Sequence, residues 1–146
     1  PYPIEDDSAN VVTAIELIEH LNAAAIQEFL SEAYRILRPG GYLFLTTPNY
    51  GSLWPLLEWV VGKISPLSYD EQHITKFTRT SLMDLIETSK FQQDTIVSFM
   101  LSVPFAAAIN WRIADITEAL EPNFLARRLG FLLFCKARKP TVEDSS

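Results

Sequence analysis

The chain has 146 residues, of which 48% are hydrophobic and 21% charged, and its formal net charge is −6 at pH 7. This is the composition of a folded domain with a sizeable core, and it excludes an intrinsically disordered chain. The acidic balance argues against nucleic-acid binding driven by charge. The single cysteine, Cys135, excludes an internal disulfide and a cysteine-based zinc site. We therefore expect one domain that works in the reducing environment of the cytoplasm.

The first part of the chain predicts a strand, a helix and a second strand. Asn10–Ile15 is apolar on both faces, which is typical of a central parallel strand. Asn22 can cap a helix from Ala23 to about Leu37, and Arg38–Gly41 (RPGG) then offers a glycine for a left-handed position at the helix end. Tyr42–Thr47 (YLFLTT) is the second strand. Crossovers of this kind are almost always right-handed.

Residues 50–77 are predicted to form a lid-like insertion. SLWPLLEWVVGKI favours a short amphipathic helix with Pro55 in its first turn, and SPLSYDEQHITKF is predicted to be a loop. Trp54 and Trp59 allow two interpretations. They pack on the sheet, which is the commoner fate of such residues, or they form an apolar lid for a lipid-like substrate and contact a membrane interface.

Further elements are predicted after this insertion: a helix from a cap at Thr78 or Thr80 to about Ser89, a strand over Asp94–Leu101, a helix over Pro104–Leu120, and a final strand over Gly130–Arg138. In the second of these helices, spacing predicts four inward residues: Ile109, Ile113, Ile116 and Leu120. Pro122 is expected to end that helix, because proline does not continue one. Residues 139–146 are expected to form a flexible tail.

Three segments, ANVVTAIELIEHL, FLSEAYRILRPGGYLFLTTPN and HITKFTRTSLMDLIE, occur in this order and resemble the second half of class I S-adenosylmethionine-dependent methyltransferases. The RPGG turn before an apolar strand that ends in TPN is the most specific part. The resemblance is to the ubiquinone-pathway O-methyltransferases and methyltransferase types 11 and 23. It implies a Rossmann-like α/β fold, of which residues 1–138 form the C-terminal part, from the fourth strand onward, with a mostly parallel sheet and an antiparallel last strand.

The resemblance also implies where the cofactor lies. The family holds it with a glycine-rich turn after the first strand and an acidic residue after the second, and this sequence has five glycines and no GxG. We therefore expect both motifs upstream of residue 1. The residues implied to lie beside the cofactor's methionine moiety are Thr13, Ala14, Ile15 and Glu16. The strand that carries them is expected to have an open edge, which pairs with the missing N-terminal half or a partner chain.

Glu16, Glu19 and His20 form an ExxEH pattern directly after the first strand. Carboxylate oxygens with one imidazole suit magnesium or manganese. The resemblance to metal-dependent members of the superfamily, including the small-RNA 2′-O-methyltransferases, implies that His73 completes such a site. A cation there would position an acceptor hydroxyl and lower its pKa. In the other interpretation, Glu16 contacts cofactor or solvent while Glu19 and His20 only begin the next turn.

The reaction that the resemblance implies is methyl transfer to the oxygen of a small or lipid-like acceptor, mainly through proximity and orientation. His20 and His73 are the candidate catalytic residues, and Asn49 and Tyr50, just past the second strand, are the candidate substrate residues. The alternative is a non-catalytic interaction module that pairs through its open sheet edge. A dehydrogenase is disfavoured, because its dinucleotide fingerprint is absent as well.

Overall fold

The structure is a computed structural model that describes residues 3–56, 58–59, 73–101, 103, 110–120, 122–141 and 144. The elements with defined bounds are β1 (Ala9–Ile15), α1 (Ala23–Ile36), β2 (Leu37–Pro48), α2 (Arg79–Glu87), β3 (Gln92–Phe99), α3 (Trp111–Leu120), α4 (Asn123–Leu129) and β4 (Leu132–Arg138). A short 3₁₀ turn, Ile18–His20, separates β1 from α1. Residues 54–56 and 58–59 are also helical, in agreement with the short helix predicted there.

The described strands form one sheet in the order β1-β2-β4-β3. β1 runs parallel to β2, while β4 runs antiparallel to both β2 and β3. The parallel strands are joined by a helical crossover, as adjacent parallel strands require. This is the mostly parallel, Rossmann-like α/β arrangement with an antiparallel last strand that the resemblance implied, and the prediction of fold class is confirmed.

Within the described part of the chain, β1 pairs with β2 on one side and is open on the other. Along this strand Val11 is 48% exposed and Ile15 is 71% exposed. The apolar pattern of Asn10–Ile15 predicted a central strand with a neighbour on each edge. Among the described residues only one of these neighbours, β2, is present. An apolar edge of this kind is a place where another strand can pair.

The core lies between the sheet and α1 and α2. Asn22 caps α1 as predicted, because its side chain accepts a hydrogen bond from the backbone N–H of Ala25 at 3.0 Å. Ile26, Leu30 and Ala33 follow at three- and four-residue spacing and are buried. The same core includes residues of α2, β3 and β4: Leu82, Ile86, Ile96, Leu133 and Cys135. Each large side chain buried in this way contributes about 1.5–3 kcal/mol to stability.

The junction between α1 and β2 differs from the prediction. The helix ends at Ile36, and the RPGG segment lies inside β2, so its glycine does not terminate the helix. The register moves from Ala9 opposite Leu37 to Val11 opposite Tyr42, which leaves extra residues on β2. Gly40 has φ +81, and its N–H donates to the Lys139 carbonyl at 2.8 Å. The glycine therefore permits a bulge within the strand.

The prediction for α3 was wrong in which residues face inward. Ile113, Ile116 and Leu120 are 44%, 60% and 76% exposed, while Ala114 is buried against Val103 and Met100. Apolar residues occur on two stripes of this helix, and spacing alone did not distinguish them; Ile109 lies outside the described residues. After Pro122 a further helix, α4, begins, which the sequence had not indicated. No helix in the described ranges is both long and apolar enough to cross a bilayer.

The residue after β4 is firmly held. The Lys139 ammonium group donates to Asp7 Oδ1 at 2.7 Å and to the carbonyls of Tyr34 and Leu37 at 2.7 and 2.8 Å. Three donors with three acceptors satisfy a buried ammonium group. Lys139, the first residue of the expected tail, thus joins the N-terminal loop, α1 and β2.

Candidate functional site

The chain turns sharply where β1 ends. Glu16 has φ +47, a conformation that non-glycine residues rarely adopt and that costs on the order of 1–3 kcal/mol. Its N–H donates to both the carbonyl and the hydroxyl oxygen of Thr46, at 3.2 and 3.1 Å. The turn is therefore fixed against the end of the neighbouring parallel strand. Strained residues of this kind concentrate at ligand sites.

Three of the predicted site residues meet beyond this turn. Ligand atoms of Glu19, His20 and His73 all lie within 4.8 Å of one another, and the two imidazole rings are 5.2 Å apart. The segment that carries His73 is held there by Thr75, whose N–H donates to the Glu19 carbonyl at 2.9 Å and whose hydroxyl donates to the Leu21 carbonyl at 2.6 Å. These three residues are called the Glu-His-His cluster below. Glu16 lies next to it.

Two neighbouring carboxylates, that of Glu19 buried and that of Glu16 partly buried, give this region its electrostatic character. Burial raises the pKa of Glu19, and the neighbouring Glu16 adds to the effect, whereas His20 and the Thr47 hydroxyl oppose it. Burial likewise raises the pKa of Glu16 against the Thr46 hydrogen bond and the two histidines. One oxygen of each carboxylate, Oε1, is buried without a hydrogen-bond partner among the described residues. Unpaired buried acceptors suit a cation or a donor group of a ligand.

A second group of side chains holds His73. Its Nδ1 lies 2.7 Å from the Tyr50 hydroxyl and 3.1 Å from Glu58 Oε1. The Tyr50 hydroxyl in turn lies 2.9 and 3.1 Å from the two carboxylate oxygens of Glu58. Glu58 is a site residue that was not predicted from the sequence, although a lone carboxylate between the apolar residues of LWPLLEWVV is a signal of a buried partner.

The two predicted substrate residues occupy different surroundings. Tyr50 joins the group around His73. Asn49 is 4% exposed, and its amide donates to the Gly130 carbonyl at 3.0 Å while its carbonyl oxygen accepts from the N–H of Gly51 at 3.0 Å. Both ends of the Asn49 side chain are used inside the chain, so its contacts link the end of β2 to the residues before β4.

The residues implied to contact the cofactor alternate along β1. Ala14 is buried at 2% exposure, whereas Thr13 is exposed and Ile15 is 71% exposed. Alternation is what a strand imposes, because successive side chains point to opposite faces. Thr13 and Ile15 therefore share the accessible face of the edge strand, and Glu16 follows at its end.

Comparison with known proteins agrees with this architecture. Residues 4–95 match the family model of a methyltransferase domain. Over 98 residues the chain is 36% identical to a probable S-adenosylmethionine-dependent methyltransferase of Mycolicibacterium smegmatis, an alignment that covers 66% of this chain and 34% of the relative. The chain thus spans about a third of the length of the curated relative that it matches.

Solved structures share the fold. A Thermotoga maritima S-adenosylmethionine-dependent methyltransferase, described as a possible histamine N-methyltransferase, superposes with a TM-score of 0.67 at 20% identity and covers 95% of this chain and 60% of its own. The complex between the Haloferax volcanii Trm112 methyltransferase activator and a possible methyltransferase gives 0.60 at 18% identity, with 96% and 58% covered. With the family model matching well over half of its length, this chain belongs to the class I S-adenosylmethionine-dependent methyltransferases.

Proposed function

We propose that this chain forms the fourth-strand side of the cofactor cleft and much of the acceptor pocket of an S-adenosylmethionine-dependent methyltransferase. The observation that carries the proposal is the Glu-His-His cluster at the carboxyl end of β1, directly beside the open edge of the sheet. In open α/β sheets, ligands bind outside the carboxyl ends of the strands. The complete cleft then requires a strand beside β1, from an N-terminal half or from a partner chain.

Residues Thr13, Ala14, Ile15 and Glu16 are the proposed contacts of the cofactor. When bound, S-adenosylmethionine supplies an electrophilic methyl group on a positively charged sulfonium. The strand end fits such a ligand, since Thr13 and Ile15 are exposed and one Glu16 carboxylate oxygen has no partner within the described ranges. A carboxylate close to a cationic ligand lowers the free energy of the bound state.

We assign the acceptor to the other side of the Glu-His-His cluster. His20 and His73 are the proposed groups that take the proton from an acceptor oxygen, while Tyr50, with Asn49 behind it, borders the pocket. The ring of Trp54 lies 6.3 Å from that of His73, and its Nε1–H is buried without a partner among the described residues. Apolar side chains close to Trp54 in the sequence are exposed: Leu53 58%, Leu56 56% and Trp59 62%. These features favour a small or lipid-like acceptor and allow peripheral contact with a membrane.

The proposal also includes a divalent cation bound at the Glu-His-His cluster. Glu19, His20 and His73 offer one oxygen and two nitrogen ligands at mutual distances that one ion can bridge. In the part of the chain that the structure describes, Oε1 of Glu19 is a buried acceptor without a partner. The carboxylate oxygen suits magnesium or manganese, and of these two ions manganese accepts the two imidazole ligands better. An ion there would hold the acceptor oxygen and favour its ionised form. Glu16 is predicted to be a further metal ligand. The protein is also predicted to be cytoplasmic.

The test of the cofactor site is calorimetric titration of the full-length protein with S-adenosylmethionine and, in parallel, with S-adenosylhomocysteine, which lacks the sulfonium charge. Glu16→Lys is expected to weaken binding of the charged ligand about tenfold more than binding of the neutral one, or about 1.4 kcal/mol, because like charges repel. Glu28→Lys on the exposed side of α1 makes the same charge change and should affect neither. Absence of binding, or equal weakening of both ligands by Glu16→Lys, would contradict the assignment.

A further inference from the structure

His73 also contacts two residues outside the Glu-His-His cluster, Tyr50 and Glu58. Its side chain is 6% exposed and that of Glu58 is 9% exposed, so the Nδ1–Oε1 contact at 3.1 Å is shielded from solvent. Burying a carboxylate is costly unless its oxygens receive hydrogen bonds. Here the Tyr50 hydroxyl lies within 3.1 Å of both oxygens of Glu58, and His73 approaches one of them.

The three groups constrain where the proton on the imidazole lies. An ionised carboxylate accepts hydrogen bonds and donates none. Tyr50 therefore donates its hydroxyl proton to Glu58, and its oxygen, 2.7 Å from Nδ1, accepts from His73. A direct bond from His73 to Glu58 Oε1 also requires the proton on Nδ1. Both bonding patterns give the same tautomer, with hydrogen on Nδ1 and a lone pair on Nε2.

We infer that Glu58, together with Tyr50, is a positioning residue that holds His73 in the Nδ1–H tautomer and directs its Nε2 towards Glu19 and His20. The inference rests on the proposed function and deepens it. The rings of Trp54 and His20 also lie near the His73 ring, at 6.3 and 5.2 Å between centroids. A partner on one ring nitrogen is what sets the tautomer and basicity of the other.

The role of Nε2 is the same for a proton and for a metal ion. Either species binds the nitrogen that carries a lone pair. Without Glu58 and Tyr50, the neutral ring is free to place its proton on Nε2, which removes that lone pair from the cluster. The network therefore determines whether His73 acts as a base or ligand, and Glu58 acts through its contacts with Tyr50 and His73.

The experiment is nitrogen-15 NMR of the His73 ring in the full-length protein, at about pH 8.5, where a free imidazole is neutral. His73→Gln identifies the signals. The unsubstituted protein should show protonated Nδ1 and unprotonated Nε2. Glu58→Leu, which fills the site with an apolar side chain of similar size, should produce a substantial Nε2–H population, because the Tyr50 hydroxyl can then donate to Nδ1. Tyr50→Phe should retain the Nδ1–H tautomer, because Glu58 still accepts from Nδ1 directly. Glu58→Gln should retain the Nδ1–H tautomer, because its amide oxygen still accepts from Nδ1.

Two control variants distinguish an effect on the His73 tautomer from a general effect of substitution on the fold. Glu87→Leu on the exposed surface of α2 and Tyr42→Phe on β2 remove the same groups elsewhere and should leave the His73 signals unchanged. The inference is overturned if the unsubstituted protein carries its proton on Nε2, or if the Nδ1–H tautomer persists in folded Glu58→Leu. A full-length protein that binds no S-adenosylmethionine would refute the proposed function alone, since the tautomer is measured without cofactor or acceptor.

Discussion

Glu19 is buried and Glu16 partly buried after β1, and one oxygen of each is buried without a partner among the described residues. Such an arrangement lowers the stability of the fold unless a ligand satisfies it. Folded-state pKa values above the ordinary 4.5 mean that the folded chain disfavours the charged carboxylates. Their contribution to stability is fully present below pH 4.5 and is lost as the pH rises through the raised values. Near neutral pH these residues therefore cost stability, which is common at binding sites.

Glu19→Gln should for this reason raise the melting temperature of the metal-free full-length protein at neutral pH, by an amount worth about 1 kcal/mol. The gain should vanish as the pH falls below 4.5, where both side chains are neutral. Adding manganese should stabilise the unsubstituted protein and not the variant, because the amide lacks the ligand charge. Thermal melting with and without manganese measures both effects.

The control for Glu19→Gln is Glu87→Gln, which changes an exposed carboxylate on α2. It should alter neither the melting temperature nor the response to manganese. An equal response of Glu19→Gln and the unsubstituted protein to manganese would remove the metal from the proposed function. The cofactor site would not be affected by that result.

At the scale of the elements, Gly130 at the end of α4 lies directly against the backbone of β3. A Cβ at this position would lie 2.3 Å from the Phe99 carbonyl oxygen, 2.5 Å from the Phe99 nitrogen and 2.5 Å from the Ala126 carbonyl oxygen. All three are backbone atoms, so no side chain can move aside. The same glycine supplies the carbonyl that Asn49 binds, at 3.0 Å. Through this hydrogen bond, the packing of α4 on β3 is connected to the end of β2 near the site.

Gly130→Ala is therefore expected to destabilise the full-length protein by about 3 kcal/mol, at the upper end of the range for overpacked positions. Gly51→Ala is the matched substitution, because its nearest contact is the Asn49 side chain at 3.2 Å, and it should cost less than about 1 kcal/mol. Urea unfolding of both variants gives the comparison. Equal free energies of unfolding would show that α4 can move away from β3 at little cost.

At the scale of the whole molecule, the open edge of β1 is the dominant feature. It leaves Val11 and Ile15 accessible on a strand that has a neighbour on one side only in the described sheet. In the curated relative and the solved structures that the chain matches, further sequence accompanies the shared region. Pairing of this edge with another strand would both bury apolar surface and complete the cofactor cleft.

Residues 1–146 produced alone should consequently self-associate and bind no S-adenosylmethionine. Replacing Val11 and Ile15 together by lysine should reduce the self-association, because charges on an edge strand oppose pairing. Light scattering after gel filtration measures the effect, and lysines at the exposed positions Gln27 and Glu28 of α1 serve as the control. A monomer with calorimetric affinity for S-adenosylmethionine would contradict this expectation.

Local patterns in the sequence were sufficient for β1, the Asn22 cap of α1 and the helix that begins after Thr78. Strand alternation, capping and helical spacing depend on neighbours within a few positions, so they can be predicted without the fold. The ExxEH segment was also recognisable, because acidic residues rarely follow an apolar strand without a role there.

The remaining features were decided by tertiary structure. Which stripe of α3 faces inward depends on what packs against it, and the bulge at Gly40 depends on the pairing of β2 with its neighbours. The meeting of Tyr50, Glu58 and His73 is likewise invisible in sequence, since no local rule relates a residue after one strand, a helix position and a distant loop. Only the folded chain brings these three together, because the Thr75 hydrogen bonds fix the loop beside the end of β1.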